Sequence, residues 1–66
     1  MRQYVFEIRN KESGAFRTNF AQVGENAVDA FENAVDSNTY NYTGESCCVT
    51  AINSDTGVKI KFDIGE

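Results

Sequence analysis

The chain has 66 residues and a mass of 7.3 kDa, room for a single domain. Its 41% hydrophobic and 24% charged residues are the balance of an ordinary globular chain, and no apolar run approaches the ~18–20 residues of a membrane span. The net charge is −4, with ten acidic against six basic residues and no histidine, so Ser-His-Asp and Cys-His catalysis and His-liganded metals are excluded.

The opening residues Met1-Arg2-Gln3-Tyr4 lack the apolar core of a secretory signal, and the expected location is the cytoplasm. Cys47 and Cys48 are too few for a structural zinc site. On a strand, adjacent side chains point to opposite faces, so the pair is read as two small apolar fillers in a reducing compartment. No cofactor is implied.

Residues Arg2 to Arg9 alternate, with Tyr4, Phe6 and Ile8 on one face and Gln3, Val5, Glu7 and Arg9 on the other, the period of a strand. Asn10-Lys11-Glu12-Ser13-Gly14 reads as a turn with Gly14 free to take positive φ. Alternation resumes at Phe16, Thr18 and Phe20, completing a hairpin. A type I turn with a glycine bulge sets Lys11 opposite Ala15, Arg9 opposite Arg17, Ile8 opposite Thr18 and Phe6 opposite Phe20.

A helix is expected from about Glu25 to Asp36, with Asn26 or Gly24 as its cap. Its apolar stripe is Ala27, Phe31, Ala34 and Val35, with Val28 alongside. The polar stretch Asn38 to Ser46 is a loop that lays one of its tyrosines, Tyr40 or Tyr42, over the core edge. Asn41-Tyr42-Thr43 fits a glycosylation pattern, which carries no weight without a secretion signal.

The last third is a second hairpin, with Cys47 to Asn53 and Val58 to Ile64 as strands and Ser54-Asp55-Thr56-Gly57 as the turn. The same turn type sets Ser54 opposite Val58, Ile52 opposite Ile60 and Cys48 opposite Ile64. Cys48, Thr50 and Ile52 then point inward and Val49 and Ala51 outward; a loop one residue longer would reverse this. The expected fold is α+β, ββαββ: one four-stranded, mostly antiparallel sheet with one helix packed on one face, a single domain over 1–66. The expected core is Tyr4, Phe6, Ile8, Phe16, Phe20, Ala27, Phe31, Ala34, Val35, Ile52, Val58, Ile60, Phe62 and Ile64.

Charge is segregated along the chain. Between Thr18 and Val58 there is no lysine or arginine, while Glu25, Asp29, Glu32, Asp36, Glu45 and Asp55 all fall there. Glu25, Asp29, Glu32 and Asp36 follow helical spacing and share the solvent face of the helix. This is either an ordinary solvated face or an anionic surface for a basic partner, one that handles nucleic acid in particular. The other sheet face would project Arg9, Arg17, Lys59 and Lys61 around Val5, Val49 and Ala51. That mixed patch suits solvent, a partner or phosphates. Sheet platforms for single-stranded RNA stack bases on exposed aromatics. Here the strand aromatics fall on the core side, which with the acidic balance disfavours nucleic acid. Lys59 and Lys61 are offset in the last segment by Asp63 and Glu66.

No catalytic or metal constellation emerges. Asp55-Thr56-Gly57 matches the aspartic-protease triplet, but that chemistry needs two such carboxylates buried together, and here the triplet is what a hairpin tip calls for. Four carboxylates spread over three helical turns do not converge on a cation. The strand Tyr4-Val5-Phe6-Glu7-Ile8, the helix Asn26 to Val35 and the hairpin Ile52 to Phe62 together resemble, in layout, small phage or mobile-element inhibitors of the anti-CRISPR type. The resemblance implies stoichiometric binding to a protein or ribonucleoprotein partner without catalysis, and it transfers no functional residue. The expectation is a non-enzymatic, acidic interaction module, monomeric or weakly dimeric. The alternatives are a nucleic-acid binder using Arg9, Arg17, Lys59 and Lys61, or a structural subunit that assembles by sheet-edge pairing.

Overall fold

In the computed structural model, which describes residues 1–65, the elements run β1 (Arg2–Asn10), β2 (Phe16–Gly24), α1 (Ala27–Asp36), β3 (Cys47–Asn53) and β4 (Lys59–Ile64). The expected ββαββ order and four-stranded sheet are both present. All strand pairs are antiparallel and the spatial order is β2-β1-β3-β4, so β1 sits inside the sheet and pairs with both β2 and β3.

The two hairpins are closed by one and the same six-residue turn, Asn10 to Ala15 and Asn53 to Val58. In each, the asparagine Oδ1 accepts from the amides two and three residues on: Glu12 and Ser13 at 3.0 and 2.9 Å, Asp55 and Thr56 at 2.8 and 3.2 Å. The glycine amide donates to the asparagine carbonyl at 2.8 Å in both, and the asparagine amide donates to Ala15 O or Val58 O at 2.8 and 2.9 Å. The Ser13 or Thr56 hydroxyl accepts from the amide two residues later. Gly14 and Gly57 take φ of 74° and 76°, the left-handed region that glycine enters without penalty. The asparagine side chain thus mimics a turn of backbone and fixes the loop length.

That length is one residue more than the expected turn, and the two hairpins absorb it differently. In the first, the register shifts between Ile8 and Arg9: Arg9 faces Phe16 rather than Arg17, while Ile8–Thr18 and Phe6–Phe20 stand as expected. Arg17 is the extra residue, and this bulge restores the apolar parity. The second hairpin has no bulge. Its pairs are Cys47–Ile64, Val49–Phe62 and Ala51–Ile60, so the orientation of β3 is the reverse of the sequence expectation. Cys47, Val49 and Ala51 are buried in the core, and Cys48, Thr50 and Ile52 lie on the other face.

Helix α1 starts two residues later than expected. Asn26 is the cap, its Oδ1 accepting from the Asp29 amide at 2.9 Å, and satisfies one of the free first-turn donors. Ala27, Ala30, Phe31 and Ala34 face the sheet; Ala30, absent from the expected core, is fully buried. Gly24 ends β2 against this helix: a Cβ there would lie 2.5 Å from Ala30 N. The helix stops where Asn38 turns left-handed, φ 62°. The Tyr40 amide then reaches back to Ala34 O at 3.1 Å, which drops the Tyr40 ring onto Phe20 and Phe31, centroids 5.4 and 5.6 Å apart. The loop tyrosine that covers the core is therefore Tyr40, while Tyr42 is exposed.

The core is an aromatic cluster, Tyr4, Phe6, Phe20, Phe31, Tyr40 and Phe62, joined by edge and stacked contacts, with Ile8, Val49, Cys47 and the helix alanines filling around it. Three expected members are exposed: Phe16, Val58 and Ile60. Phe16 opposes Arg9 on the open face, and Val58 and Ile60 belong to the outer part of the sheet, away from β1 and β2, over which α1 packs.

Candidate functional site: the acidic face of the helix

At 100° per residue, the buried positions Ala27, Ala30, Phe31 and Ala34 occupy one side of α1. Asp29, Glu32 and Asp36 occupy the opposite side, and Glu25 precedes the cap. All four carboxylate residues are exposed. Among the described residues none of them belongs to an ion pair. The Arg2 guanidinium donates to the Glu25 backbone carbonyl at 3.2 Å rather than to its carboxylate. Asp29 stands in the first turn, where the helix dipole favours an anion, but the last turn carries no basic residue and ends on Asp36, against the dipole.

The four expected cations do not form one patch. Arg9 is tied up within its own hairpin: Nε bonds Glu7 Oε1 at 2.6 Å, a terminal nitrogen donates to Gly14 O at 3.0 Å, and the guanidinium lies 6.0 Å from the Phe16 ring centroid. Arg17, the bulge residue, reaches Glu45 at 3.3 Å in the loop that covers the core. Lys59 and Lys61 face the open side of β4, where Lys11 and Asp63 pair at 3.1 Å. The apolar residues of that open face are Val5, Ile52, Ala21 and Val23, with Phe16 at one end; Val49 and Ala51, expected there, are in the core. Glu66 lies outside the described residues.

A second polar cluster, not foreseen from the sequence, surrounds the start of β3. Arg17, Thr18, Thr39, Tyr40, Asn41, Thr43 and Glu45 line an open cleft of about 340 Å³. Cys47 Sγ donates to Glu45 Oε2 at 3.6 Å. Burial, then the hydrogen bond to Glu45, pushes the Cys47 thiol up, which keeps it protonated and unreactive. Burial also pushes the Tyr40 hydroxyl up to about 12, reinforced by Cys47, Tyr42 and Glu45. Both groups are held neutral, so they act here as core. The sequence carries no signal for this cluster, because it depends on the bulge, which turns Arg17 toward Glu45. Both cysteines are free thiols, Cys47 buried and Cys48 on the open face.

Among the described residues no group of three or more His, Cys, Asp or Glu side chains could hold a metal ion. Asp55-Thr56-Gly57 forms the tip of the second turn, its amides bonded to Asn53 and its glycine left-handed. No described helix is long and apolar enough to cross a membrane. Comparison of the chain with protein families, curated proteins and solved structures finds no match.

Proposed function

We propose that the protein is a non-catalytic binding module whose acidic helix face docks on a basic surface of a protein or ribonucleoprotein partner. The observation that supports this is the placement of Asp29, Glu32 and Asp36 on the exposed side of α1, with Glu25 exposed just before its cap, all four without an ion-pair partner among the described residues. Like charges at these spacings each destabilise a helix by a few tenths of a kcal/mol, and Asp36 adds an unfavourable end charge. A partner's lysines and arginines would relieve both penalties on contact, so the face is more favourable bound than free. Such charges chiefly set on-rate and specificity. Bound in this way, the module acts by occupancy, covering cations that would otherwise hold a polyanion, as an inhibitor of a nucleic-acid-handling protein would.

The test is an amide NMR titration of labelled protein at low salt with two probes: an arginine-rich peptide, and pooled single- and double-stranded DNA and RNA. Shifts confined to α1 with the peptide, lost in Asp29→Lys/Glu32→Lys while that variant keeps its circular dichroism spectrum, are expected. Salt-sensitive shifts at Arg9, Lys59 and Lys61 with nucleic acid would overturn the reading in favour of a nucleic-acid binder.

A further inference from the structure

Strand β4 ends the sheet, and among the described residues no strand pairs with its outer side. Antiparallel ladders alternate, so the bond from Asn53 N–H to Val58 O at 2.9 Å fixes the phase of the whole strand. Val58, Ile60, Phe62 and Ile64 turn their peptide groups toward β3, while Lys59, Lys61 and Asp63 turn theirs outward. The side chains divide the same way. Ile60, Phe62 and Ile64 share the helix side with their partners Ala51, Val49 and Cys47, and Lys59, Lys61 and Asp63 share the open side. Ile60 is 45% exposed, and Phe62 and Ile64 are only partly covered by the core.

We infer that β4 is an interface between two copies of this chain, paired antiparallel about a twofold axis through Phe62 to make one eight-stranded sheet. Four symmetric registers that overlap at least three residues of β4 keep the faces of the two sheets continuous, centred on Ile60, Lys61, Phe62 or Asp63. Centring on Ile60 sets Lys59 against Lys61 of the second copy; centring on Lys61 sets that residue against itself, and centring on Asp63 does the same to aspartate. Centring on Phe62 alone opposes no like charges. It places Lys61 opposite Asp63 twice and Ile60 opposite Ile64 twice, with Phe62 against Phe62. Opposite charges and apolar pairs directly across a ladder both stabilise it, whereas like charges destabilise it.

The backbone agrees with this register, because Lys61 and Asp63 are the residues whose amides and carbonyls are free to bond across the edge. Lysines on an edge strand discourage pairing with foreign strands; here the second lysine is answered by an aspartate that only a second copy supplies in register. The other edge is less open, since α1 packs along β2 and Asn33 Nδ2 donates to Val23 O at 3.0 Å. The salt bridge from Lys11 to Asp63, 3.1 Å and exposed, competes weakly, and Asp63 has a second oxygen for the partner's lysine. Pairing of this kind leaves the acidic side of α1 uncovered, so it is independent of the function proposed above.

Sedimentation equilibrium from micromolar to millimolar protein tests it. The wild type is expected to dimerise reversibly. Lys61→Glu sets two carboxylates against each other at both symmetric positions and is expected to weaken the dimer about tenfold or more. The exchange Lys61→Glu/Asp63→Lys restores opposite charges in the same register and is expected to recover it. Circular dichroism on each variant keeps loss of fold distinct from loss of pairing. A wild type that stays monomeric throughout this range would overturn the inference, and so would a dimer that Lys61→Glu leaves unchanged or that the charge exchange fails to recover.

Discussion

Gly24 is the position where one added methyl group should be most informative. Its φ is not in the left-handed region, so alanine is conformationally acceptable, and the whole effect comes from space. A Cβ there would lie 2.5 Å from Ala30 N, 2.7 Å from Ala30 Cα and 3.0 Å from Ala30 Cβ. To restore the ~3.5 Å of an ordinary contact, the helix must withdraw by about 1 Å. A gap of that size forfeits roughly a quarter to a half of each dispersion contact beneath it, and Phe31 is the large side chain that would lose them. Overpacking of this kind costs about 1–3 kcal/mol, offset by about 0.4–1 kcal/mol from the stiffer unfolded chain. Gly24→Ala is therefore expected to destabilise by roughly 1–2 kcal/mol. Against the roughly 3–10 kcal/mol expected of a chain this size, that is a large fraction. With a slope of about 1 kcal/mol/M in urea, the midpoint should fall by roughly 1–2 M without a change in slope. Because the nearest atoms are backbone, Ala30→Gly should not rescue the variant. A Gly24→Ala protein as stable as the wild type would refute the close approach of β2 to α1.

The two asparagines that pin the turns should be equivalent. Asn10→Ala and Asn53→Ala each remove a pair of amide bonds and are expected to cost roughly 1–2 kcal/mol apiece. Thermal melts should show this as a fall of roughly 5–15 °C, and a silent Asn53→Ala would mean the side chain does not set the loop length. Tyr40 gives a pH signature. Its hydroxyl is pushed up to about 12 from 10.0, so the unfolded chain loses this proton first as pH rises. The stability that goes with the proton is fully present below pH 10 and declines between about 10 and 12. Urea midpoints measured across that window should show the decline in the wild type and a smaller one in Tyr40→Phe; equal declines would remove Tyr40 as its source.

The strands, the helix and their order could be read from alternation and helical spacing because most of the buried residues are large and apolar. What could not be read was parity in β3. Cys47, Val49 and Ala51 do not differ enough in hydrophobicity from Cys48, Thr50 and Ile52 to decide which set is buried, and the decision passed to the turn. Its signal was present in the asparagine that precedes each Ser/Thr-Gly by three residues, a side-chain hydrogen-bonding role rather than a hydrophobic one. Ala30 escaped notice for a related reason: a small residue shows little of its burial in composition, and only the approach of Gly24 makes it central. Acidic spacing on α1 was legible because helix geometry alone puts Asp29, Glu32 and Asp36 together. Arg17 was misplaced with Arg9 because a bulge changes the facing of one residue and leaves the strand pattern on either side intact.

The position of β1 bears on how the chain is made. It is synthesised before the other strands of the sheet, yet one of its two neighbours is β3, which follows only after β2, α1 and the long loop have been synthesised. At about 5–20 residues per second, the β1–β2 hairpin and its helix wait for seconds with the peptide groups of Tyr4 to Asn10 unpaired along one side. During that interval the side on which β3 will pair is an open strand edge of the nascent domain, and arrival of Cys47 to Asn53 both completes the core and closes it.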